Sequence, residues 1–413
     1  MMLTGALIGP ILAPEGENPA LRLFWLPSFA VTLGLALLRL KVILRAWPAI
    51  ILVGALVLLA TASLYWSIDP ETTKRRVLSL AINSVFGLYL ATRFAGTALP
   101  RLIALSSLWM GVLSVIFVIA LPHIGIHQDA NAGLWRGIWY EKNQMAWVMV
   151  AGAIAAASWQ SSQPRLNITA IACLLLSILL VLATASKTSL LCLILGLGLV
   201  AALTLLRRAP PAMTVAAIWI GAVGMICAWW IWTTQSEALL AALGKDPTLT
   251  GRTAIWNDVW AAAMQRPWLG HGYNAFWGVD SVPANWIRYQ TQWAVPSAHN
   301  GWLDVLIQLG FIGTVLVAML MITAYLSNLI RLGSYGTREG FWSIAQLNVI
   351  ILLSLSESIL LTAQALPWIL CIAALARGFS PTPPAGDASI DITPRPVLPV
   401  PNPQSKPRLH RLV

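Results

Sequence analysis

Apolar runs long enough to cross a bilayer recur along this chain, separated by short polar breaks. They fall at about 23–39, 46–64, 77–95, 101–121, 144–159, 168–184, 188–206, 213–232 and 300–330. Each is close to the roughly 17–25 residues that a helix needs to traverse hydrocarbon. The run from Met1 to Ala13 is shorter and reads as a partial or re-entrant helix. Residues 342–377 are long enough for two short helices with a turn near Ser356-Glu357-Ser358. The alternating segments of a membrane barrel are absent. The pattern predicts an all-α, polytopic membrane protein with about 12 transmembrane segments.

One long stretch leans polar before the tail, at 233–299. The chain then divides into nine segments over 1–232, a large loop over 233–299 with short helices, C-terminal helices over 300–377, and a tail over 378–413. Proline recurs through that tail, which cannot bury a core and reads as disordered or polyproline-like.

Composition agrees, with 58% hydrophobic and 10% charged residues, where a soluble domain carries about 25% charged. The net charge of +11 has its first explanation in loop asymmetry. Arg39, Lys41, Arg45, Arg93, Arg101, Arg165, Arg207, Arg208, Arg331, Arg338 and Arg377 fall in loops or at segment ends on one side. That side is assigned to the cytoplasm, so the 233–299 loop faces the periplasm and both termini lie inside. Ten cations remain on the outward side, among them Lys74, Arg75, Arg76, Lys142, Lys187, Arg252 and Arg266. They run against the asymmetry and suit an anionic ligand at the outer membrane face. No basic block sits in a soluble domain, which argues against nucleic-acid binding. Cys173, Cys192, Cys227 and Cys371 lie in apolar runs without metal-ligand spacing, so neither a disulfide framework nor a metal site is expected. No basic stretch precedes the first apolar run, so no cleavable leader is expected.

The loop and its edges hold the candidate chemistry. His299 follows Pro296-Ser297 and opens a helical run, with Ser297 the expected N-cap. The positive end of that helix favours a neutral imidazole, able to take a proton from a hydroxyl. The competing reading is a structural histidine bonded to a loop carbonyl. Arg252, Trp256, Trp260 and Met264 follow at four-residue steps and share one helix face. Such an arginine either stacks at the surface or grips a phosphate with its planar fork. Arg266, before Pro267, marks the end of that helix. Of 21 tryptophans, eleven lie between Trp219 and Trp302. Interface anchoring accounts for part of the cluster. Trp256, Trp260, Trp268, Trp277, Trp286 and Trp293 lie in the loop itself and offer platforms for sugar rings. Lys187 sits between two runs that leave almost no loop, where it meets lipid head groups or a diphosphate. Lys74-Arg75-Arg76 opens another span on the same side, able to bind anionic lipid or the same diphosphate. Glu357 lies between two apolar stretches, a functional candidate by its depth, although a turn there lowers the force of that argument. Glu141 and Lys142 either pair or face the site; His123 and His127 read as structural. Nucleotide-binding and zinc-protease patterns are missing, as is the DXD of metal-dependent glycosyltransferases.

These residues carry a resemblance. The stretches WRGIWYEKNQMAW (135–147), TASKTSLL (184–191), TGRTAIWNDVWAAAMQRPWLGHGYNAFW (250–277), SAHNGWLDVLIQLGFIG (297–313) and, more loosely, SLSESILL (354–361) are similar to motifs of the O-antigen ligase and polymerase superfamily of bacterial envelopes. The wording resembles the branch of succinoglycan-type exopolysaccharide polymerases. The resemblance implies a metal-independent, cofactor-free glycosyltransferase of the GT-C type in the inner membrane, taking glycan from undecaprenyl diphosphate at the outer face. In such a family a loop histidine is the proposed base and cations hold the diphosphate. His299 and Arg252 stand at the matching catalytic positions, with Lys187, Lys74, Arg75, Arg76 and Arg266 as further diphosphate candidates. Trp256, Trp260, Trp268, Trp277 and Asn300 are glycan-binding candidates, and Glu357 and Lys142 are further site candidates. At Lys187 the family more often has arginine; lysine keeps the charge and loses the fork.

The implied donor is an undecaprenyl-diphosphate-linked glycan, and the acceptor a glycan or lipid-linked glycan; a chain-length regulator is a candidate partner. The favoured reaction joins repeat units into surface polysaccharide. Its rival is a ligase that moves finished glycan to lipid A core or another acceptor. A lipid-linked sugar flippase or transporter would show repeat symmetry and a charged path, and neither is visible in the chain. A purely structural subunit would not depend on His299 or Arg252.

Overall fold

The computed structural model describes residues 5–7, 22–129, 131–217, 219–221, 223–224, 252–362 and 366–380. Most of the first short run, much of the expected 213–232 span, the start of the 233–299 loop and the tail beyond Ser380 lie outside the described residues. Twelve helices organise the rest: α1 Arg22–Leu38, α2 Trp47–Ala62, α3 Pro70–Arg93, α4 Ala98–Ala120, α5 Lys142–Ser161, α6 Ile168–Ala183, α7 Lys187–Leu206, α8 Arg252–Ala263, α9 Val282–Thr291, α10 Gly301–Ile330, α11 Trp342–Ser354 and α12 Leu366–Phe379. Among the described residues no strand forms beyond one isolated bridge, Ile126 to Trp135. The chain is an all-helical, multi-pass membrane protein.

Local chemistry sets the helix starts. Asp69 accepts from the Thr72 amide at 3.0 Å and Pro70 occupies the first turn of α3. Glu141 and Gln144 form a capping box at α5, and Asn167 caps α6 through the Ala170 amide at 3.1 Å. The capping proline carries α3 back to residue 70, so Lys74, Arg75 and Arg76 lie within its first two turns, ahead of the apolar run.

Burial separates two kinds of helix. α5 and α12 are enclosed: nearly every side chain from Met145 to Ala156 and from Pro367 to Gly378 is buried. α5 packs against α4, α6 and α7, and α12 against α3 and α10. Other helices expose apolar stripes at helical spacing. On α10 the stripe is Ile312, Val315, Met319, Ile322, Leu326 and Leu329. Water would oppose a surface of that kind, whereas lipid matches it. The stretches Leu40–Tyr65, Ala98–Ala120, Lys187–Leu206 and Gly301–Ile330 are long and apolar enough to cross a membrane.

The loop cations sort to two ends of the bundle. At one end Arg101 lies over the Trp159 ring at 5.5 Å, Arg207 donates to the Ser161 carbonyl at 3.4 Å, and Ser161 reaches Gly340. Arg377 is fully buried there; it donates to the Phe94 carbonyl and shares the Tyr335 ring with Arg331. The turn between α6 and α7, the start of α5 and the α11–α12 connection lie at the other end, with α8 and α9.

α8, α9 and the first turns of α10 make a second, smaller core. Ile255, Val259, Phe276, Ile287, Val295 and Ile307 are enclosed in it. α10 has 30 residues, about 45 Å at 1.5 Å per residue, more than the hydrocarbon needs. It breaks at Gly310 (φ 64°, ψ −166°), dividing a stretch inside the small core from the stretch with the lipid-facing stripe. At the break the helix gives up its own hydrogen bonds to the loop. The amides of His271 and Gly272 donate to the carbonyls of Ile307 and Gln308 at 2.9 and 3.0 Å. In return the amides of Phe311 and Ile312 donate to the carbonyls of Pro267 and Trp268 at 2.7 and 3.3 Å. Four backbone groups orphaned by the kink are thus satisfied reciprocally. The two backbones run so close that a Cβ on Gly310 would collide with Trp268, and one on Gly270 with Gln308.

Candidate active site

Four elements converge where α8 begins: the α9–α10 connection, the start of α8, the α11–α12 connection and the start of α5. Arg252, first residue of α8, donates from one guanidinium nitrogen to the Ser356 carbonyl at 2.8 Å. Another of its nitrogens stands 3.7 Å from a Glu357 carboxylate oxygen. That same oxygen accepts from the Asn143 amide at 3.1 Å. Glu357 is only 8% exposed, so the pair and the amide satisfy a carboxylate that would otherwise be costly to enclose. Lys142, at the start of α5, lies close enough to feel the Glu357 charge, and its backbone amide donates to His127 at 3.1 Å.

His299 does not open the helix as its position in the sequence suggests. The N-cap of α10 is Asn300, whose side-chain oxygen accepts from the Trp302 and Leu303 amides at 3.0 and 3.2 Å. Asn300 can bond the two free amides of the first turn, whereas the Ser297 hydroxyl faces the His299 amide at 3.4 Å. His299 stands one residue before that cap in left-handed backbone, φ 49°. For a residue other than glycine this conformation signals strain held in place by its surroundings. The surroundings here are tight. The imidazole stacks on Trp293 with centroids 5.4 Å apart and planes 7° from parallel. Asp304 fixes the preceding residue by accepting from the Ala298 amide at 3.2 Å. The same oxygen accepts from the Trp277 indole at 2.7 Å, and the Trp256 indole donates to the Ala298 carbonyl at 2.9 Å.

Burial, and then the nearby Arg252 charge, push the His299 imidazole down to about 4. It is neutral at any ordinary pH. Its Nε2 is buried and makes no hydrogen bond. The arrangement is therefore a neutral imidazole, one of whose two ring nitrogens is an acceptor, beside a cation that is itself held by a carboxylate.

Tyr273 links this centre to α3. Its hydroxyl donates to the Leu361 carbonyl at 2.5 Å, and its backbone carbonyl accepts from Thr73 at 2.9 Å. Arg76 lies close enough to act on Tyr273 electrostatically. Lys74 and Arg75 are exposed beside it, and Arg75 bonds Thr72 at 3.1 Å. Lys187 is exposed as the first residue of α7. Cys192, five residues on in that helix, feels the Glu357 charge, so Lys187 belongs to the same end of the bundle.

The remaining candidates divide. Trp256, Trp277 and Asn300 are engaged in holding the His299 loop. Trp260 and Trp268 are exposed, and Trp268 meets Phe311 edge to face. Arg266 is not brought to Arg252. It follows the far end of α8 and donates to the Trp66 carbonyl at 3.1 Å. Twelve helical residues separate the two ends, about 18 Å. His127 is structural as expected, buried between Asp129 and the Lys142 amide. Among the described residues no three histidine, cysteine, aspartate or glutamate side chains gather as a metal-ligand set.

Sequence reasoning missed Asn143, Ser356 and Asp304 as members of this constellation. Asn143 and Asp304 stand inside motif stretches quoted above, but their roles depend on contacts 214 and 27 residues away.

Residues 171–318 match the family model described as O-antigen ligase. That range includes Lys187, Arg252 and His299. Exopolysaccharide production protein ExoQ of Rhizobium meliloti (strain 1021) is 26% identical over 329 residues, covering 74% of this chain and 72% of the relative. The motif resemblance and both comparisons agree: this chain is similar to the O-antigen ligase and polymerase superfamily, and the O-antigen ligase match covers α8, α9 and the α9–α10 connection of the candidate site.

Proposed function

We propose that the chain is a membrane glycosyltransferase that joins lipid-linked oligosaccharide repeat units into surface polysaccharide. The donor is a glycan on undecaprenyl diphosphate, and the reaction takes place at the periplasmic face of the inner membrane. The observation that carries the reading is the neutral His299 beside Arg252, at the bundle end that also holds Lys187 and Arg76. A diphosphate leaving group needs positive charge, which arginine and lysine supply directly. A hydroxyl nucleophile needs a base that is unprotonated and within hydrogen-bond reach.

Charge couples the two roles. An imidazole near 4 is a weak proton acceptor. Burial depresses the imidazole most and the Arg252 charge adds to it; a dianionic diphosphate against Arg252 offsets the second of these causes, so substrate binding raises the basicity of His299 in part. In this scheme the acceptor hydroxyl adds to the anomeric carbon, its proton passes to the unprotonated ring nitrogen of His299, and the bond to the lipid diphosphate oxygen breaks. Glu357 and Asn143 are positioning residues for Arg252.

The match to the O-antigen ligase family favours a second reading, a ligase that moves finished glycan to lipid A core or another acceptor. One experiment separates them. A deletion strain is complemented with wild type, Arg252→Ala or His299→Ala at matched membrane levels, and its glycans are resolved by size. The polymerase predicts loss of long polymer while single lipid-linked repeats persist. Long lipid-linked polymer that fails to reach lipopolysaccharide establishes the ligase. Wild-type glycans from both variants would discard the catalytic assignment.

A further inference from the structure

The far end of α8 carries a cavity that the reaction centre does not use. It has a volume of about 480 Å³ and lies between α8, α9 and the α2–α3 connection. Asp258, Ala261, Ala262 and Gln265 line it at i, i+3, i+4 and i+7, one face of the helix. Arg252 and Trp256 lie on the other side of the enclosed Ile255–Val259 stripe. Pro283 and Trp286 of α9, together with Arg266 and His271, also line the cavity.

Its chemistry is specific. Trp286 is 51% exposed and offers a flat apolar face, the surface on which the C–H side of a sugar ring packs. Asp258 makes no hydrogen bond or ion pair among the described residues, and burial pushes its carboxyl up. His271 is 3% exposed and its Nδ1 lies 3.2 Å from the Ile307 carbonyl. A carbonyl only accepts, so Nδ1 carries the proton and Nε2 is left as an acceptor. Burial lowers the proton affinity of that ring, the Ile307 hydrogen bond works against this, and Arg266 adds to the lowering. The Gln265 amide and Arg266 add donors. An aromatic plate ringed by carboxylate, amide, imidazole and guanidinium is a set for alternating hydroxyl donors and acceptors, and the volume suits one or two sugar rings. A lipid chain would leave the carboxylate and imidazole unpaired.

We propose that this cavity is a glycan-binding site, separate from the reaction centre, that holds a distal sugar of the donor or growing chain through Trp286, Asp258, Gln265 and His271. The inference rests on the polysaccharide reading above. Holding the chain at a second point keeps it on the enzyme between couplings, so the site governs product length.

The test uses the full chain in nanodiscs. The probe is an oligosaccharide of one or two repeat units, obtained by partial acid hydrolysis of the host strain's secreted polysaccharide. Binding is measured by calorimetry for wild type, Trp286→Ala, Asp258→Asn and His299→Ala. The expected result is a Kd raised about tenfold or more in Trp286→Ala and Asp258→Asn, and unchanged in His299→Ala. In complemented cells the first two variants should shift polymer to shorter lengths, whereas His299→Ala should abolish it. No binding by wild type, or equal binding by wild type and both cavity variants, overturns the proposal. A His299→Ala strain that still makes polymer overturns the reaction mechanism instead, and leaves a cavity confirmed by the binding arms in place.

Discussion

The two ends of α8 each carry an arginine, and they are built differently. Arg252 is partly enclosed, bonded to a carbonyl on the α11–α12 connection and set against Glu357, itself held by Asn143. Arg266 is exposed and donates to a single carbonyl, that of Trp66. One cation is fixed by two separate elements, the α11–α12 connection and the start of α5, beside a strained histidine; the other lines an open cavity. The difference teaches that charge and motif membership alone do not fix a cation in place; what sets the proposed reaction centre apart is the convergence of elements that hold Arg252 and partly enclose it.

The largest effect should come from breaking the join that both ends share. Gly310→Val forces a β-branched residue into left-handed backbone against Trp268, at a cost of roughly 3 kcal/mol or more. Purified protein should show a lower melting temperature, with loss of polymer formation at one end and of glycan binding at the other. A variant as stable as wild type would show that the kink and its exchanged hydrogen bonds are dispensable.

Arg252→Ala should reduce polymer formation by about 100-fold or more, on the scale of losing an oriented charge in an active site. Arg266→Ala should stay within about threefold for a surface contact of this kind. Equal losses in the two variants would erase the distinction between the ends. Arg252→Lys should recover part of the activity, because it keeps the charge and loses the fork.

Glu357→Gln should cost about tenfold in turnover, the scale of one charge-assisted contact, and Glu357→Ala more. The readout is kcat at matched protein levels, with melting temperature measured alongside. Near-wild-type turnover in Glu357→Ala would mean that the Ser356 carbonyl alone positions Arg252.

The pH dependence of stability reports on the buried imidazole. Burial and the Arg252 charge hold the folded-state value of His299 at about 4, below the 6.5 of an ordinary imidazole. The unfolded chain therefore binds its proton more readily between those values. The stabilising contribution of the neutral imidazole is complete above 6.5 and is lost as pH falls toward about 4. Stability of wild type should decline over that window more steeply than that of His299→Gln. Parallel pH profiles for the two proteins would contradict a buried, neutral His299.

Much of the helical layout was legible in the chain. The predicted runs at 101–121, 168–184, 188–206 and 300–330 match α4, α6, α7 and α10 within a few residues, because hydrophobic length is a property of consecutive residues. The two short helices over 342–377 form as α11 and α12, with Glu357 in the break between them. Of the site, the sequence marked Arg252, His299 and Glu357 by type and motif. It misjudged the cap of α10, since Ser297 and Asn300 are both good capping types and only backbone geometry chooses between them. It also grouped Arg266 with Arg252, because one motif contains both, while the helix between them sets them about 18 Å apart.

What the sequence by itself determined is therefore local: which stretches are helical and apolar, where the charged residues stand, and which motifs the chain carries. What only the tertiary structure decided is which of those residues meet. The Asn143 amide reaches Glu357 across 214 positions, and Arg252 reaches the Ser356 carbonyl across 104. The kink at Gly310 closes through backbone groups that have no side-chain signature at all. Hydrogen bonds and ion pairs act over a few ångströms of space, so a linear pattern can nominate their partners, but only the packed helices select them.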